Sequence, residues 1–172
     1  FHSVSARTAG FNSIDLAACM PATIIMMLVL MVIGACPGST GGGIKTTTFG
    51  IIWTSFWQTI RLKRHVTWSN RAISSSTILK ALSIIVSSFI IIFTFLFILL
   101  LVEEKPFLDL LFETVSAFGT VGLSLGVTPE LSNLGKGFII MLMLIGRVGP
   151  LTIAFALSSR IEEPNVQYPE ET

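Results

Sequence analysis

The sequence predicts an all-α integral membrane fold. Its units are repeats of transmembrane helix, re-entrant pore loop and transmembrane helix around a central pore. Three observations carry this expectation: an apolar composition, hydrophobic runs of bilayer length, and one pattern written twice. Of 172 residues, 52% are hydrophobic and only 12% are charged. Soluble domains average about 25% charged residues, so a mean hydropathy of +0.81 puts the chain in the membrane class. The repeated pattern is Phe1-His2-Ser3-Val4-Ser5-Ala6-Arg7-Thr8-Ala9-Gly10-Phe11-Asn12 and Phe112-Glu113-Thr114-Val115-Ser116-Ala117-Phe118-Gly119-Thr120-Val121-Gly122-Leu123-Ser124. Phe, Val, Ser, Ala, Thr and Gly recur in order, with one extra residue in the second copy after Val-Ser-Ala. Each copy is too short and too polar at its end to cross a bilayer, and each precedes an apolar stretch that can. A half-helix ending in Thr-x-Gly ahead of a membrane helix is the outline of a pore loop.

The spans follow in order. Ile14 to Cys36 carries one charge, Asp15, in 23 residues, enough for a hydrocarbon core that needs about 20. Ala81 to Val102 is charge-free and is the clearest span. Gly137 to Ser159 is a third, interrupted by Arg147 alone. Pro106 to Ala117 is apolar but only a dozen residues long, which suits a re-entrant helix. The expected division is therefore 1–60 as part of one pore repeat, 61–80 as a cytoplasmic basic loop, 81–160 as a second repeat, and 161–172 as a cytoplasmic tail. The opening Phe-His-Ser lacks the basic region of a signal peptide and the chain begins inside a repeat, so a fragment of a longer protein is expected.

Charge orients these segments. Arg61, Lys63, Arg64, Arg71 and Lys80 lie between the first and second spans with no acid among them. Glu103, Glu104, Asp109, Glu113 and Glu130 face only Lys105 and Lys136 between the second and third. Lys and Arg concentrate on the cytoplasmic side, so the basic loop is expected inside and both Thr-x-Gly segments outside. The same bias accounts for the basic loop without a nucleic-acid partner. Trp53, Trp57 and Trp68 flank the loop as an interfacial belt does. Phe89, Phe93, Phe95 and Phe97 are expected to meet lipid or neighbouring helices, and Ser83 and Ser87 to form a helix-packing face. Cys19 and Cys36 fit neither a disulfide framework nor a metal-binding spacing.

Three groups of residues are candidates for function. Thr120-Val121-Gly122 is the first. A dehydrated cation needs oxygen ligands, which inward backbone carbonyls of an extended loop supply. Glycine permits the backbone angles required, the end of the preceding helix adds partial negative charge, and Thr8-Ala9-Gly10 repeats the arrangement. A simple turn is the plainer reading. Second, Gly38-Ser39-Thr40-Gly41-Gly42-Gly43 places four glycines in six residues, which no helix sustains. A phosphate loop requires Gly-Lys adjacency, but Ile44 separates Gly43 from Lys45. Irregular backbone at membrane depth must be buried in protein or line an aqueous cavity, so a cavity-lining flap and a cytoplasmic turn both remain open. Third, Arg147 lies about 15 Å along its helix and must face protein or water. There it acts either as an electrostatic barrier to cations or as the partner of an acid elsewhere. Glu113 either concentrates cations at a pore mouth or is solvated, and Asp15 reads as a helix-start residue.

Together these segments resemble the superfamily of potassium transporters that includes the bacterial Trk and Ktr membrane subunits, the Ktr type most closely. Ser5-x-Arg7-Thr8-Ala9-Gly10-Phe11-Asn12 resembles that family's third filter and Gly119-Thr120-Val121-Gly122-Leu123-Ser124 its fourth. Pro37 to Thr46 resembles its intramembrane gate loop. Gly146-Arg147-Val148-Gly149-Pro150-Leu151-Thr152 resembles the helix bearing its pore arginine, and Tyr168-Pro169-Glu170-Glu171 continues the likeness into the tail. The resemblance implies four repeats around one pore, of which this chain holds two filter glycines, Gly10 and Gly122. It implies K+ as the transported ion, bound by backbone carbonyls at Thr8, Ala9, Gly10 and Phe11 and at Thr120, Val121, Gly122 and Leu123. The implied gate is Gly38, Ser39, Thr40, Gly41, Gly42, Gly43 and Lys45, acting with Arg147. It further implies a multi-pass protein of the cell membrane, a homodimer, and a cytoplasmic RCK-type nucleotide-binding regulatory subunit. No cofactor and no bond chemistry are implied, and Na+ stands as a candidate coupling ion. Two rival functions are a membrane nucleotide hydrolase using Gly38–Lys45 and a non-conducting membrane scaffold.

Overall fold

The computed structural model describes residues 1–61, 66–68 and 71–149. The described elements run α1 (His2–Ser5), α2 (Pro21–Val32), α3 (Thr46–Ile60), a two-residue hairpin of β1 (Thr67–Trp68) and β2 (Arg71–Ala72), α4 (Ser75–Val102), α5 (Phe107–Gly119) and α6 (Asn133–Val148). One turn of 3-10 helix, Thr128–Glu130, precedes α6.

α5 is the pivot of the packing. Proline at position 106 starts it, Asp109 sits in its first turn, and it runs 13 residues, about 20 Å at 1.5 Å per residue. That is too short to cross a hydrocarbon core of about 30 Å. Every residue from Phe112 to Gly119 is nevertheless buried, because α2, α4 and α6 surround it. Phe112, Phe118, Leu110, Leu99, Leu142 and Met31 are almost fully buried at the centre.

α4 is the one described helix long and apolar enough to cross a membrane. It starts at Ser75 and not at residue 81, because Ser74 caps it: its hydroxyl accepts from the Thr77 N–H at 3.4 Å. The polar Ser75-Ser76-Thr77 turn reads as loop by hydropathy but is helical, so Lys80 belongs to the helix. The inward stripe of α4 is Ala81, Ser88, Ile92, Leu96 and Leu99. Ser83 is exposed and Ser87 half-buried, so the packing serine is Ser88, one helical step from the expected face. Phe89, Phe93 and Phe97 are exposed on the chain's surface, while Phe95 packs on the core.

The expected span Ile14–Cys36 is corrected more sharply. Residues 14–20 are not helical, and Asp15 does not start a helix; its carboxylate accepts the Ala17 N–H in a local turn. Proline at the first helical position sets the start of α2. The helix then lasts 12 residues, about 18 Å. Residues 33–45 form a loop, and α3 continues beyond it. The 23-residue span is thus reduced to one half-height helix, α2, and the glycine run separates it from a second helix, α3.

The hairpin is pinned to α3 by Gln58, whose amide donates to the Thr67 carbonyl at 2.6 Å and accepts its N–H at 2.7 Å. Trp53, Trp57 and Trp68 are all about half exposed. At the other end, Lys105 and Glu130 pair at 2.5 Å, and this ammonium holds the exposed Glu130 carboxyl below the ordinary carboxylate range. Within α6 the Ser132 hydroxyl caps the Gly135 N–H at 3.1 Å, and the described helix ends before Gly149. Lys63, Arg64 and the segment from Pro150 through the tail, including Leu151, Thr152 and Tyr168 to Glu171, lie outside the described residues, as does the second half of the span expected to reach Ser159.

Candidate functional site: two filter strands over a glycine loop

The two Thr-x-Gly segments adopt the same backbone. Thr8 and Thr120 both have positive φ, 71° and 53°, and Gly10 and Gly122 follow at 74° and 88°. Positive φ at a β-branched residue is a steric outlier that persists only where surrounding structure enforces it, at a cost of about 1–3 kcal/mol. The enforcement is visible. The Ser5 carbonyl accepts from the Ala9 N–H at 3.0 Å, and the Ser116 carbonyl accepts from the Val121 N–H at 2.9 Å. These are equivalent serines and equivalent acceptors. The Ser5 carbonyl also accepts from the Gly10 N–H at 3.0 Å, and the extra residue of the second copy puts Val121, the counterpart of Ala9, five residues from its serine and not four.

The strands approach each other. A Cβ added to Gly10 would overlap the Val121 carbonyl oxygen, so that oxygen faces the first strand across a gap that only glycine leaves open. Val121 and Leu123 bury their side chains behind the strand, while a Cβ on Gly122 would meet open space. Ala9 and Phe11 are exposed. At this approach the second strand presents the Val121 carbonyl oxygen, not a side chain, to Gly10.

Beneath the strands lies the loop between α2 and α3. It is folded back on α2: the Gly34 N–H donates to the Ile44 carbonyl at 2.9 Å and the Ile44 N–H to the Val32 carbonyl at 3.2 Å. Gly41 packs against the Thr8 side chain and Gly42 against that of Thr120. The Gly42 N–H donates to Thr120 Oγ1 at 2.8 Å, joining residues 78 apart. Contact at this range requires a residue without a side chain: a Cβ on Gly42 would sit 2.7 Å from both Thr120 Oγ1 and Cγ2 and 3.0 Å from the Gly146 carbonyl. The helix break therefore lies directly against Thr8 and Thr120.

The loop's carbonyls are covered by cations. Lys45 Nζ donates to the Gly41 carbonyl at 2.6 Å and lies 3.3 Å from that of Ser39. Arg7 Nη2 donates to the Gly34 carbonyl at 3.2 Å. Arg147, exposed near the end of α6, donates through Nη1 to the Thr40 carbonyl. Its partner in the described residues is therefore a loop carbonyl and not an acid. Hydrogen bonds to a charged donor contribute about 1.5–3 kcal/mol each, so three such cations hold the loop firmly. Gly38 and Gly43 complete its turns, both with φ near 80°. A phosphate loop would keep its lysine and its N–H groups free for ligand; here Lys45 and Gly42 are spent on the loop itself and on Thr120.

Some residues of this site carry no sequence signal of their own. Arg7 and Gly34 matter only because the fold brings them together across 27 positions. Gly146 lets α6 close on α5, since a Cβ there would overlap the Phe118 carbonyl. Glu113 is not solvated: it is 5% exposed, and its carboxyl accepts from the Ser124 and Thr128 hydroxyls.

Comparison with known proteins agrees with this architecture. The chain is 48% identical over its full length to the Ktr system potassium uptake protein B of Vibrio alginolyticus, of which it covers 38%. It is 47% identical over 170 residues to the protein of the same name from Bacillus subtilis, again covering 38%. The chain thus spans well under half the length of these curated relatives. Among solved structures, the potassium transporter TrkH of Vibrio parahaemolyticus matches 90% of this chain and 35% of its own, with a TM-score of 0.79 at 18% identity. That likeness establishes a shared all-α membrane fold. Residues 1–167 match the TrkH family, described as a cation transport protein, and the chain, with its paired Thr-x-Gly strands packed on a glycine loop, belongs to that family.

Proposed function

We propose that this chain is part of the membrane subunit of a Trk/Ktr-type system that takes up K+ across the cell membrane through a gated, channel-like pore. The observation that carries the reading is the junction of Thr120 with Gly42, where a filter strand and an irregular loop share one hydrogen bond of 2.8 Å. Carbonyls of Thr8 to Phe11 and of Thr120 to Leu123 replace the ion's hydration shell, as in filters of this kind. The loop from Gly38 to Lys45 closes the path below, and Arg147 adds a fixed positive charge that raises the barrier to a cation. The K+ is cargo, Na+ is a candidate coupling ion, and no cofactor is assigned to the chain. The working assembly is a homodimer in lipid, multi-pass, with both filters external and a cytoplasmic RCK-type nucleotide-binding subunit acting on the gate. Positive-inside bias across 61–80 and 103–136 supports that orientation.

The test is K+ flux into liposomes containing the complete protein. Deleting Gly41–Gly43 removes the backbone that packs on Thr8 and Thr120, and flux is expected to rise several-fold. Flux that stays at the wild-type level would mean that the loop is no gate.

A further inference from the structure

The filter strands are also held at their downstream ends, and the ties occupy matching positions in the repeat. Aligning Val4-Ser5-Ala6 with Val115-Ser116-Ala117 sets His2 opposite Glu113; aligning Thr8-x-Gly10 with Thr120-x-Gly122 sets Asn12 opposite Ser124. In the second copy, buried Glu113 accepts the Ser124 hydroxyl on Oε1 and the Thr128 hydroxyl, at 2.9 Å, on Oε2. Ser124 Oγ lies 3.0 Å from Thr128 Oγ1 and accepts the Gly126 N–H at 2.9 Å. In the first copy, His2 Nε2 lies 3.2 Å from Asn12 Oδ1 and donates to it in the tautomer that carries the Nε2 proton; in the other tautomer it accepts the Ser13 N–H at 3.3 Å instead. Asn12 Oδ1 accepts the Ile14 N–H at 3.3 Å. The pattern is the same with different chemistry. A polar side chain three residues before the repeat's serine grips the side chain four residues beyond its threonine. That second side chain also accepts the N–H two residues further on.

We propose that Glu113 and His2 are positioning residues for ion selectivity, each fixing the downstream end of its filter strand to the pore helix that already anchors the upstream end. This rests on reading residues 8–11 and 120–123 as filter strands. The physical reason is that the strand from Thr120 to Ser124 carries its carbonyls between two attachments on one rigid helix, Ser116 and Glu113. Release of either attachment lets the carbonyls spread, and discrimination between ions depends on the number and placement of those oxygens. A brace needed only for stability would be met by apolar packing. A carboxyl group brought to 5% exposure carries a desolvation cost that its hydroxyl partners must offset, and this buys directional bonds. The Glu113 clamp is buried and accepts two hydroxyls, whereas His2 is half-buried with contacts of 3.2–3.3 Å. Glu113 therefore governs the filter more strongly than His2.

The experiment compares K+ and Na+ flux in liposomes containing the complete wild-type protein and its variants. Glu113→Ala and Ser124→Ala are each expected to lower the K+-to-Na+ flux ratio about tenfold, the factor carried by one charge-assisted hydrogen bond. The double variant should fall no more than about twofold further, because both changes break one bond. Glu113→Gln keeps an oxygen for Ser124 and an amide for Thr128, and should retain a ratio within about threefold of wild type. His2→Ala should fall less than Glu113→Ala. If Glu113→Ala fails to assemble, Ser124→Ala removes the same bond with a single oxygen and decides the matter. A selective wild type with an unmoved ratio in Ser124→Ala overturns the clamp alone. A wild type that carries neither cation overturns the transport reading and the clamp with it.

Discussion

Replacing Gly42 by alanine tests whether the loop and the filter form one mechanical unit. The added Cβ would stand 2.7 Å from Thr120 Oγ1 and Cγ2, against an ordinary contact of at least 3.4 Å. The loop must therefore retreat by about 0.7 Å, the difference between those two values. Thr120 cannot turn aside cheaply: its β-branched side chain is stiff, and its backbone is already in a left-handed conformation. The Gly146 carbonyl at 3.0 Å blocks a sideways escape. Moving back by that amount stretches the Gly42–Thr120 bond from 2.8 Å to the limit of hydrogen bonding. Overpacking of this kind costs about 1–3 kcal/mol, and the lost bond about 1 kcal/mol. Even the lower sum, about 2 kcal/mol, shifts a closed-to-open equilibrium roughly thirtyfold. In liposomes containing the complete protein, without a regulatory subunit, K+ flux through Gly42→Ala should rise by an order of magnitude. Gly38→Ala meets no atom within 4 Å and carries only a left-handed backbone cost of about 1–2 kcal/mol, so its effect should be smaller. Wild-type flux in Gly42→Ala, at equal protein per vesicle, would refute the coupling of loop to filter.

Two further outcomes follow from named contacts. Arg147→Ala removes both a fixed positive charge and the bond to the Thr40 carbonyl, so basal K+ flux should rise about tenfold; indifference would leave the arginine only a structural part. Glu103→Ala should leave ion preference unchanged but destabilise the protein by about 1.5–3 kcal/mol. Its buried carboxylate accepts the Ser132 N–H at 3.0 Å and hydroxyl at 2.5 Å, tying the end of α4 to the start of α6. Thermal unfolding of the complete protein in detergent would measure this, and an unshifted midpoint would contradict it.

The parts of this chain that were legible in sequence are those determined by local pattern. α4 is a continuous apolar run, so its core limits appear in hydropathy, and only its capped polar first turn was missed. α5 is short and apolar after a proline, and a re-entrant helix is what those features require. The glycine run must break a helix wherever it lies. The matched Thr-x-Gly segments share backbone angles because the same short string meets the same closing serine carbonyl. Glu113 shows the opposite case. Its charge places it in water by any composition rule, yet the fold buries it, since Ser124 and Thr128 return to the same helix and satisfy its oxygens.

By itself, then, the sequence determined the membrane class, the duplicated pore loop, the order of the motifs and the need for a break within 38–43. Only tertiary structure decided what that break touches. Hydropathy sums each residue's preference for lipid or water, and a 23-residue run reads the same whether a full-length helix or a shorter one with irregular flanks carries it. Its place is set by contacts between residues 78 and 107 positions apart, Gly42 with Thr120 and Arg147 with Thr40. Those contacts exist because glycines at 10, 42 and 146 leave no side chain where distant segments meet, and no local pattern encodes which segment the other will be.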